Sequence, residues 1–385
     1  MEMTSLLERP DLDALLAALR RHGHTVIGPI VRDGAIVCVE IESAGDLPEG
    51  WVDEQEAGRY RLRHTEEPVL FGHTVGPVAW KRFLFPPAAR LLQLGSNGDG
   101  TPRITPDGGA PSITPEGDAP QRYAFVGVRA CDLAAILIQD AVLLGQAYVD
   151  RSYQSRRANA FIVAVHCTRP GRSCFCASTG TGPRAGAGFD LALTEVCRDG
   201  GHYFVVESGS TRGNEILAEV PHRDTTPEER EAADAAVAEA AGRMGRRIDL
   251  AGLKDLLYHS YEHSRWDEIA ARCLACANCT MVCPTCFCTT ADERTDLDGS
   301  AERWRRWDSC FSGSFSYIHG GSIRTSTKSR YRQWLVHKFA AWIDQFGTTG
   351  CVGCGRCITW CPVAIDITEE VRAIQGREVA LHGDA

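Results

Sequence analysis

The sequence contains no apolar run long enough to cross a membrane. No stretch approaches the roughly eighteen continuous apolar residues that a membrane span requires, and residues 1–21 hold no hydrophobic segment typical of secretory signals. The pair Arg20 and Arg21 precedes His-Gly-His rather than an apolar run. We therefore expect a soluble, cytoplasmic chain without a signal peptide and without membrane contact.

An excess of positive charge is also missing. The 41 lysines and arginines are outnumbered by 50 acidic residues, which gives a net charge of -9 and a pI near 5.8. Proteins that bind nucleic acid usually carry a basic surface, so we expect no nucleic-acid partner. Apolar residues make up 44% of the 385 residues, which is enough for two or three domains with their own cores.

Nucleotide-binding loops are absent as well. No G-x-G-x-x-G follows a strand and opens a helix, and no P-loop is visible. The nearest candidate, G-T-G-P-R-A-G-A-G from Gly180 to Gly188, does not directly follow a strand and is more typical of a loop. The paired cysteine motifs of a nickel–iron active-site subunit are missing too. The sequence thus offers no catalytic site for hydride or hydrogen chemistry.

Cysteine, in contrast, is abundant, with 17 residues. The runs C-L-A-C-A-N-C-T-M-V-C-P, starting at Cys273, and C-V-G-C-G-R-C-I-T-W-C-P, starting at Cys351, each follow the bacterial ferredoxin pattern and predict two 4Fe-4S clusters. Zinc also binds paired C-x-x-C motifs, but it gains nothing from a C-x-x-C-x-x-C triplet with a trailing C-P. Disulfides are disfavoured in a reducing compartment. We therefore expect a protein that transfers electrons.

The spacing also predicts which cysteines share a cluster. In two-cluster ferredoxins the fourth cysteine, which precedes the proline, binds the cluster of the other motif. This crossed ligation would join the two motifs. The expected ligands are Cys273, Cys276, Cys279 and Cys361 for cluster one, and Cys351, Cys354, Cys357 and Cys283 for cluster two.

Four further cysteines predict a third 4Fe-4S cluster. Cys131 stands where a strand gives way to a helix, a position that favours thiolate. Cys167, Cys174 and Cys176 follow the next strand, and open α/β sheets bind ligands at the carboxyl ends of their strands. Alternatively, the four are buried thiols that pack as small apolar side chains. A C-x-C pair in a Gly/Pro-rich loop is a poor way to fill a core, which favours the cluster.

Five cysteines remain outside these sets. Cys38 and Cys197 lie in predicted strands and are expected to be structural. Cys286 and Cys288 follow the first motif in C-P-T-C-F-C and could line a cluster or replace one of its ligands. The spacing leaves their role, and that of Cys310, open.

The order of predicted elements indicates an α+β protein. Residues 1–222 read as an α/β domain, in which a strand at Tyr123–Val128 leads into a helix and then into a buried strand at Phe161–Val165. A Gly/Pro-rich flexible insertion is expected at 95–121, and a linker helix at 223–250.

Residues 251–385 are expected to form a helical domain with two clusters. About seventy residues separate the cysteine motifs, more than in a compact βαββαβ ferredoxin. The segment between the motifs is basic and aromatic, and its charges could offset the clusters, bind an acidic partner or face solvent. Its basic residues are Arg303, Arg305, Arg306, Arg324, Lys328, Arg330, Arg332 and Lys338.

Several segments resemble the β subunit of cytoplasmic NAD(P)-linked NiFe hydrogenases, also called sulfhydrogenases. They are R-C-L-A-C-A-N-C-T-M-V-C-P-T-C-F-C, R-W-D-S-C-F, S-Y-I-H-G-G, Y-R-Q-W-L-V-H-K and D-Q-F-G-T-T-G-C-V-G-C-G-R-C-I-T-W-C-P, with G-V-R-A-C-D-L and C-F-C-A-S-T-G-T-G-P nearer the amino terminus. The resemblance implies a non-catalytic relay between a flavin-containing, NAD(P)H-oxidising subunit and the catalytic subunits, which are a small iron–sulfur subunit and a NiFe large subunit.

Two other functions stay open at this point. The A subunit of anaerobic sulfite reductase is similar over the same regions, and the resemblance does not separate the two complexes, or NAD from NADP. A redox-sensing protein is a third possibility. A sensor would normally carry a readout element such as a DNA-binding helix-turn-helix, and none is evident.

Overall fold

A computed structural model describes residues 4–96, 102–106, 121–198, 200–295 and 301–376. Most of the insertion expected at 95–121 lies outside these ranges. No helix in the described part of the chain is both long enough and apolar enough to cross a membrane.

Sixteen strands are described. They are β1 (Thr4–Glu8), β2 (Thr25–Arg32), β3 (Ala35–Glu40), β4 (Trp51–Glu56), β5 (Arg59–His64), β6 (Ala88–Ser96), β7 (Pro102–Pro106), β8 (Tyr123–Arg129), β9 (Phe161–Val165), β10 (Leu191–Arg198), β11 (Gly201–Ser208), β12 (Arg223–Asp224), β13 (Thr289–Thr295), β14 (Ala301–Trp307), β15 (Tyr317–Ile318) and β16 (Gly321–Ser322).

The described helices are mostly short. They are α1 (Leu12–Arg21), α2 (Lys81–Leu84), α3 (Ala130–Leu143), α4 (Arg151–Ala158), α5 (Thr211–Ala218), α6 (Pro227–Gly242), α7 (Leu253–His259), α8 (Arg265–Arg272), α9 (Asn278–Met281), α10 (Thr327–Val336), α11 (Trp342–Phe346), α12 (Arg356–Thr359) and α13 (Ile367–Ile374), with 3₁₀ turns at Arg9–Asp11 and Ala44–Asp46 and a π-helical turn at His337–Ala341.

The main sheet has the strand order β12-β1-β11-β10-β9-β8-β2-β3. Its centre is parallel, because β10 pairs with β9, β9 with β8 and β8 with β2 in the same direction. The flanking pairs are antiparallel. The carboxyl ends of β8 and β9 therefore lie side by side, and the loops carrying the N-terminal cysteines leave from them.

Both faces of this sheet are covered, as expected for a parallel centre. Along the strands, alternate residues point to opposite faces: Ala124, Val126 and Val163 pack in the core under α1 and α5, while Phe125 and Ile162 pack in the core under α3 and α4. The strands accordingly read as continuous apolar runs. The two cores hold in place the carboxyl ends of β8 and β9, which are followed directly by the segments with the N-terminal cysteines.

A second sheet, β13-β14-β6-β7, departs from the helical segment expected after residue 251. Its β13–β14 hairpin lies between the two cysteine motifs, and β14 pairs with β6 from the first hundred residues. Strands of both parts of the chain thus share one sheet. The division into 1–222, 223–250 and 251–385, and a helical type of two-cluster domain, remain predictions.

Candidate metal centres

The first cysteine motif forms a loop around a cavity. Cys273, Cys276 and Cys279 line this cavity together with Cys361 from the second motif, and Cys357 borders it as well. Burial, with the neighbouring thiolates of Cys273 and Cys361, raises the pKa of Cys279. Thiols held close together in such a place ionise when a metal ion takes up their charge. The crossed partner predicted from sequence therefore lies beside the first triplet.

The second triplet gathers around the other cysteine that precedes a proline. The charges of Cys351, Cys354 and Cys283 all act on Cys357, and these neighbours, after burial itself, raise its pKa well above the usual value. Burial likewise raises the pKa of Cys351 to about 12. Cys283 thus groups with the second triplet, as the crossed arrangement predicts. The ligands themselves remain a prediction.

Both loops need left-handed backbone at matching positions. In the first loop Ala275 and Ala277 have φ of 51° and 66°, and in the second loop Gly353 and Gly355 have φ of 60° and 75°. Each loop then enters a short helix, α9 or α12. Left-handed backbone turns successive peptide groups inward, so backbone N–H groups reach sulfur: the Ala275 nitrogen lies 3.4 Å from Cys273 Sγ. Such bonds tune a cluster's reduction potential.

Two buried lysines lie next to Cys283. Lys338, in the π-helical turn, donates to Cys283 Sγ at 3.2 Å, and Lys81 donates to the Cys283 carbonyl oxygen at 3.1 Å. Burial alone would lower the pKa of Lys338, but the surrounding thiolates of Cys283, Cys286 and Cys351 raise it well above its usual value. Lys338 is therefore a fixed positive charge beside the second triplet and Cys283.

Replacing Lys338 by methionine should lower the reduction potential of the cluster that Cys283 binds. Without the ammonium group the more negative reduced state loses stabilisation. A hydrogen bond to a charged group contributes about 1.5–3 kcal/mol, and 1.4 kcal/mol corresponds to about 59 mV for one electron, so we expect a fall of roughly 60–130 mV in an EPR-monitored titration. Lys328→Met, which removes the ammonium that bonds Asp267, is the control. Equal potentials in both variants would contradict this role of Lys338.

The four N-terminal cysteines also line one cavity. Cys131, Cys167, Cys174 and Cys176 surround it, with Met244 as an apolar neighbour. Cys131 is the second residue of α3, directly after β8, and Cys167 is the second residue after β9. The adjacent ends of the two parallel strands thus bring these cysteines together, as the sequence predicts.

Arg129 gives this cavity a positive charge that lacks a full set of partners. Its Nη2 donates to the carbonyl oxygens of Phe71 and His73, but its Nε and Nη1 are buried and bond to no other described atom. The buried carboxyl of Asp53 interacts with this guanidinium, but buried N–H groups without an acceptor are still costly. Four cysteines and a partly unsatisfied arginine around one cavity fit a thiolate-bound 4Fe-4S cluster.

The N-terminal cavity lies against the second cysteine loop. Phe175 donates its backbone N–H to the Gly353 carbonyl oxygen at 2.8 Å. A Cβ on Gly353 would lie 2.6 Å from the Cys176 backbone, and one on Gly355 would lie 2.5 Å from the Ser173 carbonyl oxygen. The approach of these backbones explains glycine here, where the freer first loop has alanine. Three thiol groups therefore follow one another. The first is the first triplet with Cys361, the second is the second triplet with Cys283, and the third is the set of four N-terminal cysteines.

A buried ion pair holds this contact together. Arg356, in α12, donates to both carboxylate oxygens of Asp132, in α3, at 2.7 and 2.9 Å. The Arg356 Nε also donates to the Gly76 carbonyl oxygen at 2.9 Å. Both side chains of the pair are almost fully buried, with 2% and 4% exposure. The pair fixes the helix that carries Cys131 against the helix that carries Cys357.

Most of the basic residues between the cysteine motifs do not face the thiol groups. Lys338 does, but Arg305, Arg306 and Lys328 pair with carboxylates, and Arg303 pairs with Glu293. Arg324, Arg330 and Arg332 bond to a hydroxyl or to backbone carbonyls. Among the basic residues of this segment that the structure describes, Lys338 is therefore the one that could offset the negative charge of the clusters.

The remaining cysteines fall into two kinds. Cys38 is buried in β3 and Cys197 is exposed in β10. Cys286, Cys288 and Cys310 are half-buried and lie near the first and second thiol groups.

Two charged residues of these sites were not predicted from the sequence. Lys81 was missed because a lysine in K-R-F-L shows no sign of burial. Arg129 lies in G-V-R-A-C-D-L, and its position two residues before Cys131 is the signal that could have identified it.

Comparison with known proteins identifies the kind of cofactor. A sequence profile described as "4Fe-4S dicluster domain" matches residues 272–365, which contain both C-terminal motifs. Sulfhydrogenase 2 subunit beta of Pyrococcus furiosus is 35% identical over 259 residues, which are 65% of this chain and 74% of that protein. Together with the cysteine cavities, these similarities identify 4Fe-4S clusters as cofactors and electron transfer as their purpose.

Proposed function

Because this chain belongs to the family of sulfhydrogenase beta subunits, we propose that it relays electrons between two kinds of partner subunit in a hydrogenase complex. One partner is a flavin-containing subunit that oxidises NAD(P)H. The other is the catalytic pair of a small iron–sulfur subunit and a NiFe large subunit. The single observation that carries the proposal is the contact between successive four-cysteine groups, which offers electrons a continuous path.

The ends of this path support the proposal. Cys276 is exposed, and the neighbouring Leu274 is 64% exposed, so the first thiol group lies closest to solvent and to a docked partner. The second group is buried between the other two. When bound, each cluster accepts and donates one electron at a time. The chain's own residues hold the clusters, shield the middle one from water and set their potentials.

A third cluster at Cys131, Cys167, Cys174 and Cys176 is part of the proposal. It would extend the path from the second thiol group to the carboxyl ends of β8 and β9. The unsatisfied guanidinium of Arg129 supports an anionic occupant. The alternative, in which these thiols only pack against each other, leaves Nε and Nη1 of Arg129 without a hydrogen-bond partner among the described atoms.

Replacing Cys176 by alanine tests the third cluster. The full chain should hold about twelve irons, given four per cubane, and the variant about eight, because three cysteines do not retain a cubane as firmly as four. Iron and acid-labile sulfide analysis gives the count. Cys197→Ala removes an exposed cysteine outside the cavities and should keep all the iron. An unchanged iron content in Cys176→Ala would reduce the four residues to packing.

The relay itself is tested by activity with and without partners. Alone, the purified chain should neither oxidise hydrogen nor reduce NAD(P), since it has no dinucleotide loop. In the complete complex, Cys357→Ala should abolish hydrogen-dependent NAD(P) reduction while each partner keeps its activity with artificial dyes, and Cys197→Ala should have no effect. NAD(P)-linked turnover by the single chain would overturn the relay.

Replacing the hydrogenase partners by those of a sulfite reductase tests the alternative complex, which the similarity to a sulfhydrogenase subunit disfavours.

A further inference from the structure

Three half-buried cysteines beside the metal centres have no part in the proposed cluster sets. Cys286 shares a side-chain hydrogen bond with Cys283, and Cys288 shares one with Cys310. The first pair includes a proposed cluster ligand. The second pair includes none, so Cys288 and Cys310 are two contacting thiols that the relay does not use.

The β13–β14 hairpin brings this pair together. Thr289 pairs with Trp307 in the hairpin, and the Asp308 nitrogen donates to the Cys288 carbonyl oxygen at 2.8 Å. The hairpin thus holds its two ends side by side, with Cys288 just before one strand and Cys310 shortly after the other. This proximity is built into the fold, although 22 positions separate the two residues in sequence.

These three sulfur atoms do not make up the ligand set of a further cluster or of a single metal ion. A cubane takes four thiolates, whereas Cys286, Cys288 and Cys310 are three, and Cys286 contacts Cys283, a proposed ligand of cluster two. A tetrahedral ion needs three or four ligand atoms close together. Within the described ranges, none of these three cysteines belongs to a group of three His, Cys, Asp or Glu ligand atoms that lie this close together.

We propose that Cys288 and Cys310 form a redox-active dithiol that converts reversibly to a disulfide and exchanges electrons with the neighbouring clusters. On oxidation the two S–H bonds break, one S–S bond forms, and two protons and two electrons leave. The electrons pass one at a time to two oxidised 4Fe-4S clusters, and the reverse step takes them back. The inference rests on the presence of clusters one and two, and adds a two-electron site to a one-electron path.

The surroundings of the pair support this chemistry. The charge of Cys279, a proposed ligand of cluster one, acts on Cys310, and Lys338 acts on both members of the pair as well as on Cys283. A hydrogen bond from the Cys310 thiol, aided by Lys338, lowers the pKa of Cys288 to about 7. Thiolate is the form that reacts in thiol–disulfide chemistry. Both residues are half-buried, so a reagent can reach them.

Peptide mapping of the oxidised, cluster-loaded full chain tests the disulfide. After oxidation with thionine, alkylation and trypsin digestion, the peptide 273–294 should be linked to the peptide 307–324. Cys286→Ala should keep this link, whereas Cys288→Ala and Cys310→Ala should lose it. Absence of the link in the wild-type chain, or its loss only in Cys286→Ala, would overturn the assignment.

A reductive titration gives the second readout. The wild-type chain should take up two electrons more than its reduced clusters account for by EPR spin integration, and Cys197→Ala should do the same. Cys310→Ala should lose this excess and keep its iron. If Cys310→Ala instead loses about four irons, the residue is a cluster ligand and the dithiol is refuted. Failure of the relay would appear separately, as missing iron or missing coupled turnover with the disulfide link intact.

Discussion

Replacing Cys361 by alanine is expected to remove the cluster beside Cys273, Cys276 and Cys279, and not the one beside its own triplet. Cys361 lines the first cavity, while Cys283 groups with Cys351, Cys354 and Cys357. A cluster that loses one of four thiolates loses much of its binding free energy. The full chain should lose about four irons.

Double substitutions separate crossed from uncrossed ligation. In the crossed arrangement Cys276 and Cys361 hold one cluster, so the double variant Cys276→Ala/Cys361→Ala should lose no more iron than either single variant. Cys357→Ala/Cys361→Ala should lose about eight irons, because two clusters are hit. The uncrossed arrangement predicts the opposite pair of results. Cys197→Ala, with all its iron, is the matched control.

Replacing Arg356 by methionine is expected to destabilise the chain by about 3–5 kcal/mol, the usual cost of leaving one partner of a buried ion pair uncompensated. Asp132 would keep its carboxylate in a place with 4% exposure and without its ion-pair partner. The midpoint of urea unfolding measures the change. Lys254→Met, which breaks an exposed pair with Asp344, should leave the midpoint unchanged.

The double variant Arg356→Met/Asp132→Asn gives the decisive comparison. Removing both charges leaves no unpaired ion, so the double variant should be more stable than Arg356→Met alone. If Arg356→Met is as stable as Lys254→Met, the pair does not hold the N-terminal and second thiol groups together. The contact would then depend on the backbone approach at Gly353 instead.

Local sequence patterns are the basis of the predicted cysteine sites, because the C-x-x-C-x-x-C-x-x-x-C-P spacing depends on neighbours within twelve residues. In the structure Cys361 lines the cavity of the first triplet and Cys283 lies near the second triplet, while crossed ligation itself stays a prediction. Cys131 and Cys167 were predicted to converge because each follows a buried strand. That prediction needed β8 and β9 to be adjacent and parallel, and the structure has them so.

Long-range partners could not be predicted in the same way. The β13–β14 hairpin reads as a charged, polar segment, and its strand conformation depends on pairing with β6, about two hundred residues earlier. Lys338 looked like seven other basic residues of its segment, and only its place in the π-helical turn buries it beside Cys283. The Cys288–Cys310 contact likewise depends on that hairpin.

Anomalous X-ray diffraction at the iron edge, on crystals of the cluster-loaded full chain, is the most direct test of the proposed electron path. We predict three groups of iron atoms in a row. The first lies among Cys273, Cys276, Cys279 and Cys361, the second among Cys283, Cys351, Cys354 and Cys357, and the third among Cys131, Cys167, Cys174 and Cys176. Iron missing from the N-terminal cavity, or Cys361 bound to the same cluster as Cys351, would contradict the account.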